Sequence, residues 1–114
     1  MNIWEIIKQN NLQALLQIDS ITESNLILHF AIAKKASKKM IELLITKGAD
    51  INAKTDKDET PLHFALSIYS KEVIEYLITN GADINAKTKQ NKTTLHFACQ
   101  YNSKVIEYLI TKWT

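Results

Sequence analysis

Residues 45–55 read ITKGADINAKT and residues 78–88 read ITNGADINAKT, so the two stretches differ only at Lys47 and Asn80. The tetrapeptide LHFA starts at Leu28, Leu62 and Leu95, and VIEYLIT starts at Val73 and again at Val105. Leu62 to Leu95 is 33 residues, and so is Gly48 to Gly81. A fixed period in this range is the signature of stacked supersecondary units, each too small to bury its own apolar face.

The chain has two glycines, Gly48 and Gly81, and both occupy the same place in the period. Each follows an apolar helical stripe, where a left-handed residue ends a helix most easily. Thr60-Pro61 and Thr93-Thr94 precede two copies of LHFA. Thr is a good N-cap, and Pro at the first helical position gives up an N–H that would have no intrahelical partner. Ser70 is expected to cap the next helix, with Glu72 in its first turn. Val73, Ile74, Leu77 and Ile78 form the stripe expected to pack between layers.

These motifs carry a resemblance. Thr60-Pro61-Leu62-His63-Phe64-Ala65, followed one helix pair later by Gly81-Ala82-Asp83-Ile84-Asn85-Ala86, closely resembles the ankyrin repeat. The resemblance implies an all-α solenoid of stacked helix–turn–helix pairs with short β-hairpin tips. Residues 1–114 are expected to form one domain: an N-terminal cap at 2–20, repeats at 21–54 and 55–87, and a truncated repeat at 88–112. In the cap, Ile3, Trp4, Ile6 and Ile7 make one stripe. Asn10-Asn11 breaks it, and Leu12, Leu15, Leu16 and Ile18 make a second. The repeat at 21–54 has one residue more than the next between its two helices, placed around Lys35-Ala36. Asp58 and Asn91 stand where the family usually has a turn glycine, and both residue types tolerate positive φ. Asn102 falls at a helix-ending glycine position and suits it; Tyr69 falls there one repeat earlier and suits it poorly.

Composition narrows the function. No apolar run approaches the roughly 20 residues that span a bilayer, and Met1-Asn2-Ile3-Trp4-Glu5 lacks the order of a secretory signal. A soluble, cytoplasmic protein is expected. The net charge is +2, and all fourteen basic residues are lysines. The missing arginine forks count against nucleic-acid recognition. Lys34-Lys35 and Lys38-Lys39 form the densest basic patch, expected to be a solvated loop; a lysine-dependent membrane or nucleic-acid contact is the alternative.

Catalysis finds no candidate residues. His29, His63 and His96 recur one repeat apart, and layers stacked about 10 Å apart cannot bring three ligands within about 2.1 Å of one zinc ion. The resemblance makes this His a structural hydrogen-bonding residue near the helix start. Glu42, Glu75 and Glu107 recur at one helix position, and Asp50 and Asp83 at one turn position, so they read as architecture. No triad or phosphate loop is present, and no cofactor is expected. Cys99 stands where Leu66 and Ile32 stand in the other repeats, so a buried, inert thiol is expected.

The resemblance implies non-catalytic binding of a protein or peptide on a concave face lined by turn tips and inner helices. Carried over by position, that face offers Lys54, Asp56, Lys57 and Glu59, then Ser67 and Ile68. The next layer offers Lys87, Lys89, Gln90 and Lys92, then Gln100 and Tyr101. Tyr101 is the expected anchor, since aromatic side chains dominate interface energy. A structural spacer within a longer array is the other alternative. The last helix repeats the internal VIEYLIT with none of Val105, Ile106, Tyr108, Leu109 or Ile110 changed to polar. An exposed apolar end, partly covered by Trp113, and self-association through it are therefore expected.

Overall fold

The computed structural model describes residues 2–18, 26–69 and 71–112. The expected cap at Ser70 and cover by Trp113 lie outside the described residues. The chain sorts into two units, residues 1–50 and 51–114. Among the described residues all regular structure is helical. None of these helices is long and apolar enough to cross a membrane.

The first unit holds α1 (Ile3–Lys8), α2 (Leu12–Leu16), α3 (Ile27–Ala33) and α4 (Lys38–Thr46). Asn2 Oδ1 accepts from the Glu5 N–H at 2.9 Å, and Asn11 Oδ1 from that of Ala14 at 3.0 Å. Side-chain oxygens thus satisfy donors that short helices would otherwise leave open. Asn10 takes a positive φ of 51° between α1 and α2, and its Oδ1 accepts from both the backbone N–H and the hydroxyl of Ser37. Lys35 also has positive φ, at 57°, where the extra residue between α3 and α4 was expected. The core is built from Ile6, Ile7, Leu15, Leu28, Ile32, Met40, Ile41 and Leu44, each at most 2% exposed. Trp4 packs edge-on against Phe30, with ring centroids 4.9 Å apart.

The second unit holds α5 (Pro61–Leu66), α6 (Lys71–Thr79), α7 (Thr94–Tyr101), a short helical turn at Ser103–Val105, and α8 (Ile106–Lys112). Thr60 and Thr93 cap α5 and α7 as expected, and Pro61 opens α5. Thr94 stands in place of Pro61, and its hydroxyl donates to the Ile84 carbonyl at 2.7 Å. Leu62, Leu66, Ile74 and Leu77 are fully buried between α5, α6 and the elements that follow. The Tyr69 hydroxyl is pushed up to about 12 by burial.

The turn residues divide into two groups. Gly48 and Gly81 have φ of 112° and 102°, and Asp58 and Asn91 have φ of 60° and 61°, as their positions require. A Cβ at Gly81 would meet nothing within 4 Å, so glycine is needed there for φ alone. Asn102 departs from expectation: its φ is −152°, and its side-chain amide donates to the Tyr69 carbonyl at 2.8 Å. It acts as a link between successive helix ends and not as a left-handed stop.

The tips also differ from the expected β-hairpins, since no strand forms among the described residues. Each tip is a closed turn instead. Thr55 N–H donates to the Glu59 carbonyl and Thr88 N–H to that of Lys92, both at 3.0 Å. Lys89 N–H then donates to the Lys57 carbonyl at 2.9 Å, tying one tip to the next. Asn52 makes a second tie: its amide donates to the Gly81 carbonyl, and its Oδ1 accepts from Asp83 N–H.

Candidate functional site

The cap of α5 fixes the floor of the site. Thr60 Oγ1 accepts from the His63 N–H at 3.3 Å, and His63 Nδ1 accepts from the Thr60 N–H at 3.0 Å. Nδ1 is therefore the acceptor nitrogen, and the proton sits on Nε2. Nε2 donates to the Ala86 carbonyl, 3.1 Å away in the next turn. His63 is 1% exposed, so one buried ring joins a helix start to the neighbouring tip. Its ring lies 5.0 Å from Phe97, and Phe97 lies 6.3 Å from Tyr101. His63, Phe97 and Tyr101 thus form a continuous aromatic row across α5 and α7.

Two adjoining cavities open over this row. One, of about 350 Å³, lies between the tips and α7, with Lys57, Glu59, Lys89, Gln90, Lys92 and Tyr101 on its wall. The other, of about 360 Å³, lies between α5 and α7, with Phe64, Ser67, Ile68, Phe97 and Tyr101 on its wall. Glu59, Phe97 and Tyr101 border both. Tyr101 is 54% exposed and Ile68 37%, so both expose apolar surface into the same groove.

Eight of the twelve residues expected at a binding face therefore meet here: Lys57, Glu59, Ser67, Ile68, Lys89, Gln90, Lys92 and Tyr101. Lys54, Asp56 and Lys87 are exposed but border neither cavity. Gln100 lies on another side of α7, beside Thr93, Leu95, His96 and Cys99 around a hollow of about 460 Å³. Phe64, Phe97 and Thr88 belong to the groove although sequence reasoning left them out. The two phenylalanines sit inside LHFA, and that invariant pattern reads as framework. Their half-buried state shows that each serves both the core and the groove.

Cys99 corrects an expectation, because it is exposed. Its counterpart Leu66 is fully buried, as is Leu62, whereas Leu95 is only half-buried and His96 is exposed. The difference lies in the neighbours: α7 packs on α5, but among the described residues nothing packs in the same way on the far side of α7. Leu66 lies on a helix that a further layer, α7, packs against, so the same position in the repeat need not give the same burial.

Among the described residues no three His, Cys, Asp or Glu side chains gather as metal ligands. His96 repeats the local role of His63, with Nδ1 accepting from the Thr93 N–H at 3.0 Å. The basic patch of the first unit is exposed and partly engaged. Lys38 pairs with Glu42 at 4.0 Å, and the Lys34 ammonium lies 5.6 Å from the centre of the Phe30 ring.

Capped helix pairs tied by repeated turns, with a groove between the tips and the helices α5 and α7, define a repeat-built helical array. The family model for ankyrin repeats matches residues 7–113 in three copies, and the chain belongs to that family. Its fold is the all-α ankyrin-repeat fold. Ankyrin repeats generally serve as protein–protein interaction modules and are typically non-catalytic. No curated protein matches the chain.

Proposed function

We propose that this protein is a non-catalytic binding module, and that the groove between α5, α7 and the two tips of the second unit receives a protein or peptide segment. The observation that carries this reading is the pairing of Ile68 and Tyr101. Both are large, apolar and exposed, and both border one cavity floored by Phe64 and Phe97. Exposed aromatic side chains beside a preformed hollow are where binding energy concentrates. In the first unit the equivalent phenylalanine, Phe30, is instead faced by Trp4 and Lys34.

Substituting Tyr101→Ala together with Ile68→Ala is expected to weaken binding of the native partner by about 1–4 kcal/mol. Helical circular dichroism should stay unchanged, since both side chains are exposed. A double variant that binds as tightly as the wild type would remove the groove assignment.

A second reading has its own observation. Leu95, Cys99, Ile106 and Ile110 expose or half-expose apolar surface, and Ile110 is 52% exposed. The counterparts Leu62, Leu66 and Ile74 are fully buried. A second copy of the chain offers the same surface, and joining two would remove both from water. Light scattering of the 114-residue chain in reductant should show mass rising with concentration. Ile110→Lys should suppress that rise. A mass independent of concentration in the wild type rules this reading out. The reductant excludes a disulfide through Cys99 as the cause.

A further inference from the structure

The groove differs from an ordinary apolar hollow in the charge on its rim. From residue 84 to residue 106 the chain has four lysines, Lys87, Lys89, Lys92 and Lys104, and neither Asp nor Glu. Lys89 and Lys92 border the groove together with Lys57 from the preceding tip. The backbone bond from Lys89 N–H to the Lys57 carbonyl holds the two tips in register, so these cations share one rim. None of the three forms an ion pair with a described carboxylate, whereas Lys8, Lys38 and Lys71 each pair with a Glu on their own helix. Among the described residues Glu59 is the one acid bordering either cavity, and it accepts the Thr55 hydroxyl at 3.2 Å within its own turn. Three lysines against one glutamate leave the rim at 3 − 1 = +2.

Resting on the groove reading above, we propose that the partner is an acidic peptide segment carrying one large apolar or aromatic residue. That residue would sit between Ile68 and Tyr101 on the Phe64–Phe97 floor. Flanking carboxylates would lie against Lys57, Lys89 and Lys92. The two cavities adjoin along Phe97 and Tyr101, so an anchor in one places its neighbouring residues at the lysine rim of the other. Opposite charge across an interface sets partner choice and association rate, while the apolar anchor supplies affinity. Single-stranded nucleic acid could also combine stacking with lysine contacts. It is disfavoured because Glu59 stands at the rim and no arginine is available for phosphate.

The test uses the full chain and four labelled probes: a short peptide of glutamates around one tryptophan, the same peptide with glutamines, the glutamate peptide with alanine for tryptophan, and a homouridine oligonucleotide. Fluorescence anisotropy at low and moderate salt reads the affinity. The glutamate–tryptophan peptide should bind most tightly. The glutamine and alanine versions should each bind at least about tenfold more weakly. Lys89→Glu with Lys92→Glu should reduce binding of the acidic peptide at least about tenfold with circular dichroism unchanged.

Equal affinity for the glutamate and glutamine peptides would overturn the acidic specificity. The groove reading would still stand if Tyr101→Ala with Ile68→Ala weakened both. Binding of the acidic peptide that ignores this floor substitution would overturn the groove itself. Absence of saturable peptide binding, or tighter binding of homouridine, would overturn the proposal outright.

Discussion

His63→Ala is expected to destabilise the second unit by about 1–3 kcal/mol, because it removes a buried ring that satisfies two backbone groups at once. The Thr60 N–H loses its acceptor and the Ala86 carbonyl loses its donor, from 3.0 Å and 3.1 Å respectively. Both bonds are buried, so water does not freely replace the ring. The Phe97 ring also loses its neighbour at 5.0 Å. His96→Ala is the internal comparison. It removes the same cap geometry at Thr93, but His96 is exposed, and solvent takes over the freed N–H. Its effect should stay below about 1 kcal/mol. Denaturant titration of the two variants side by side checks this, with hydrogen exchange at α5 and α7 to locate the change. Equal losses would mean that the His63 bond to Ala86 contributes little. Adding zinc should leave the wild-type melting temperature unchanged; a zinc-dependent rise abolished by His63→Ala would contradict the structural role.

The histidine also shows how far the sequence can be read. A residue's role within its own turn is local chemistry, and local chemistry recurs with the period. The Thr60 and Thr93 caps, the positive φ of Gly48 and Gly81, and the tolerance of Asp58 and Asn91 for the same conformation were all legible for that reason. Burial is not local. Cys99 and Leu66 hold the same register, yet one is exposed and the other is not, because exposure depends on the layer that follows. The period carries information about a layer and none about whether that layer has a neighbour.

The groove was half legible on the same principle. Positions that vary between repeats stood out, which located Tyr101, Ile68 and the lysines of the tips. Phe64 and Phe97 were hidden because they do not vary. A framework residue that is also half-exposed leaves no mark in a comparison of repeats. Asn52 was hidden for a related reason: its bonds to Gly81 and Asp83 cross 29 and 31 residues, and neither partner changes type to signal the contact. The sense of the groove charge, by contrast, was present in the sequence as a 23-residue stretch, 84 to 106, without an acid. It acquired meaning only when the Lys57–Lys89 backbone bond placed two tips on one rim.

Ile74→Ala is expected to destabilise the protein by about 2–5 kcal/mol, and the same substitution at Ile106 by less than about half as much. The two isoleucines lie in identical heptapeptides, Val73–Thr79 and Val105–Thr111, so intrinsic helix propensity is closely matched at both sites. Ile106 opens α8 directly after the short turn whereas Ile74 lies inside α6, and the packing differs as well. Ile74 is fully buried, whereas Ile106 is half-buried, and Ile110 is 52% exposed beside it. Leu77 and Leu109 provide the control, since both are fully buried. Leu77→Ala and Leu109→Ala should therefore have similar effects, each about 2–5 kcal/mol. One side of α8 is thus buried as in the internal copy, and among the described residues the Ile110 side is exposed. The last layer should accordingly open before the rest, with the least hydrogen-exchange protection across residues 95–112. Denaturant titrations of the four variants at high dilution, where self-association is suppressed, read the difference directly. If Ile106→Ala matches Ile74→Ala at dilution, the outer side of α8 is covered within the single chain, and both the fraying and the self-association expected from it would fall together.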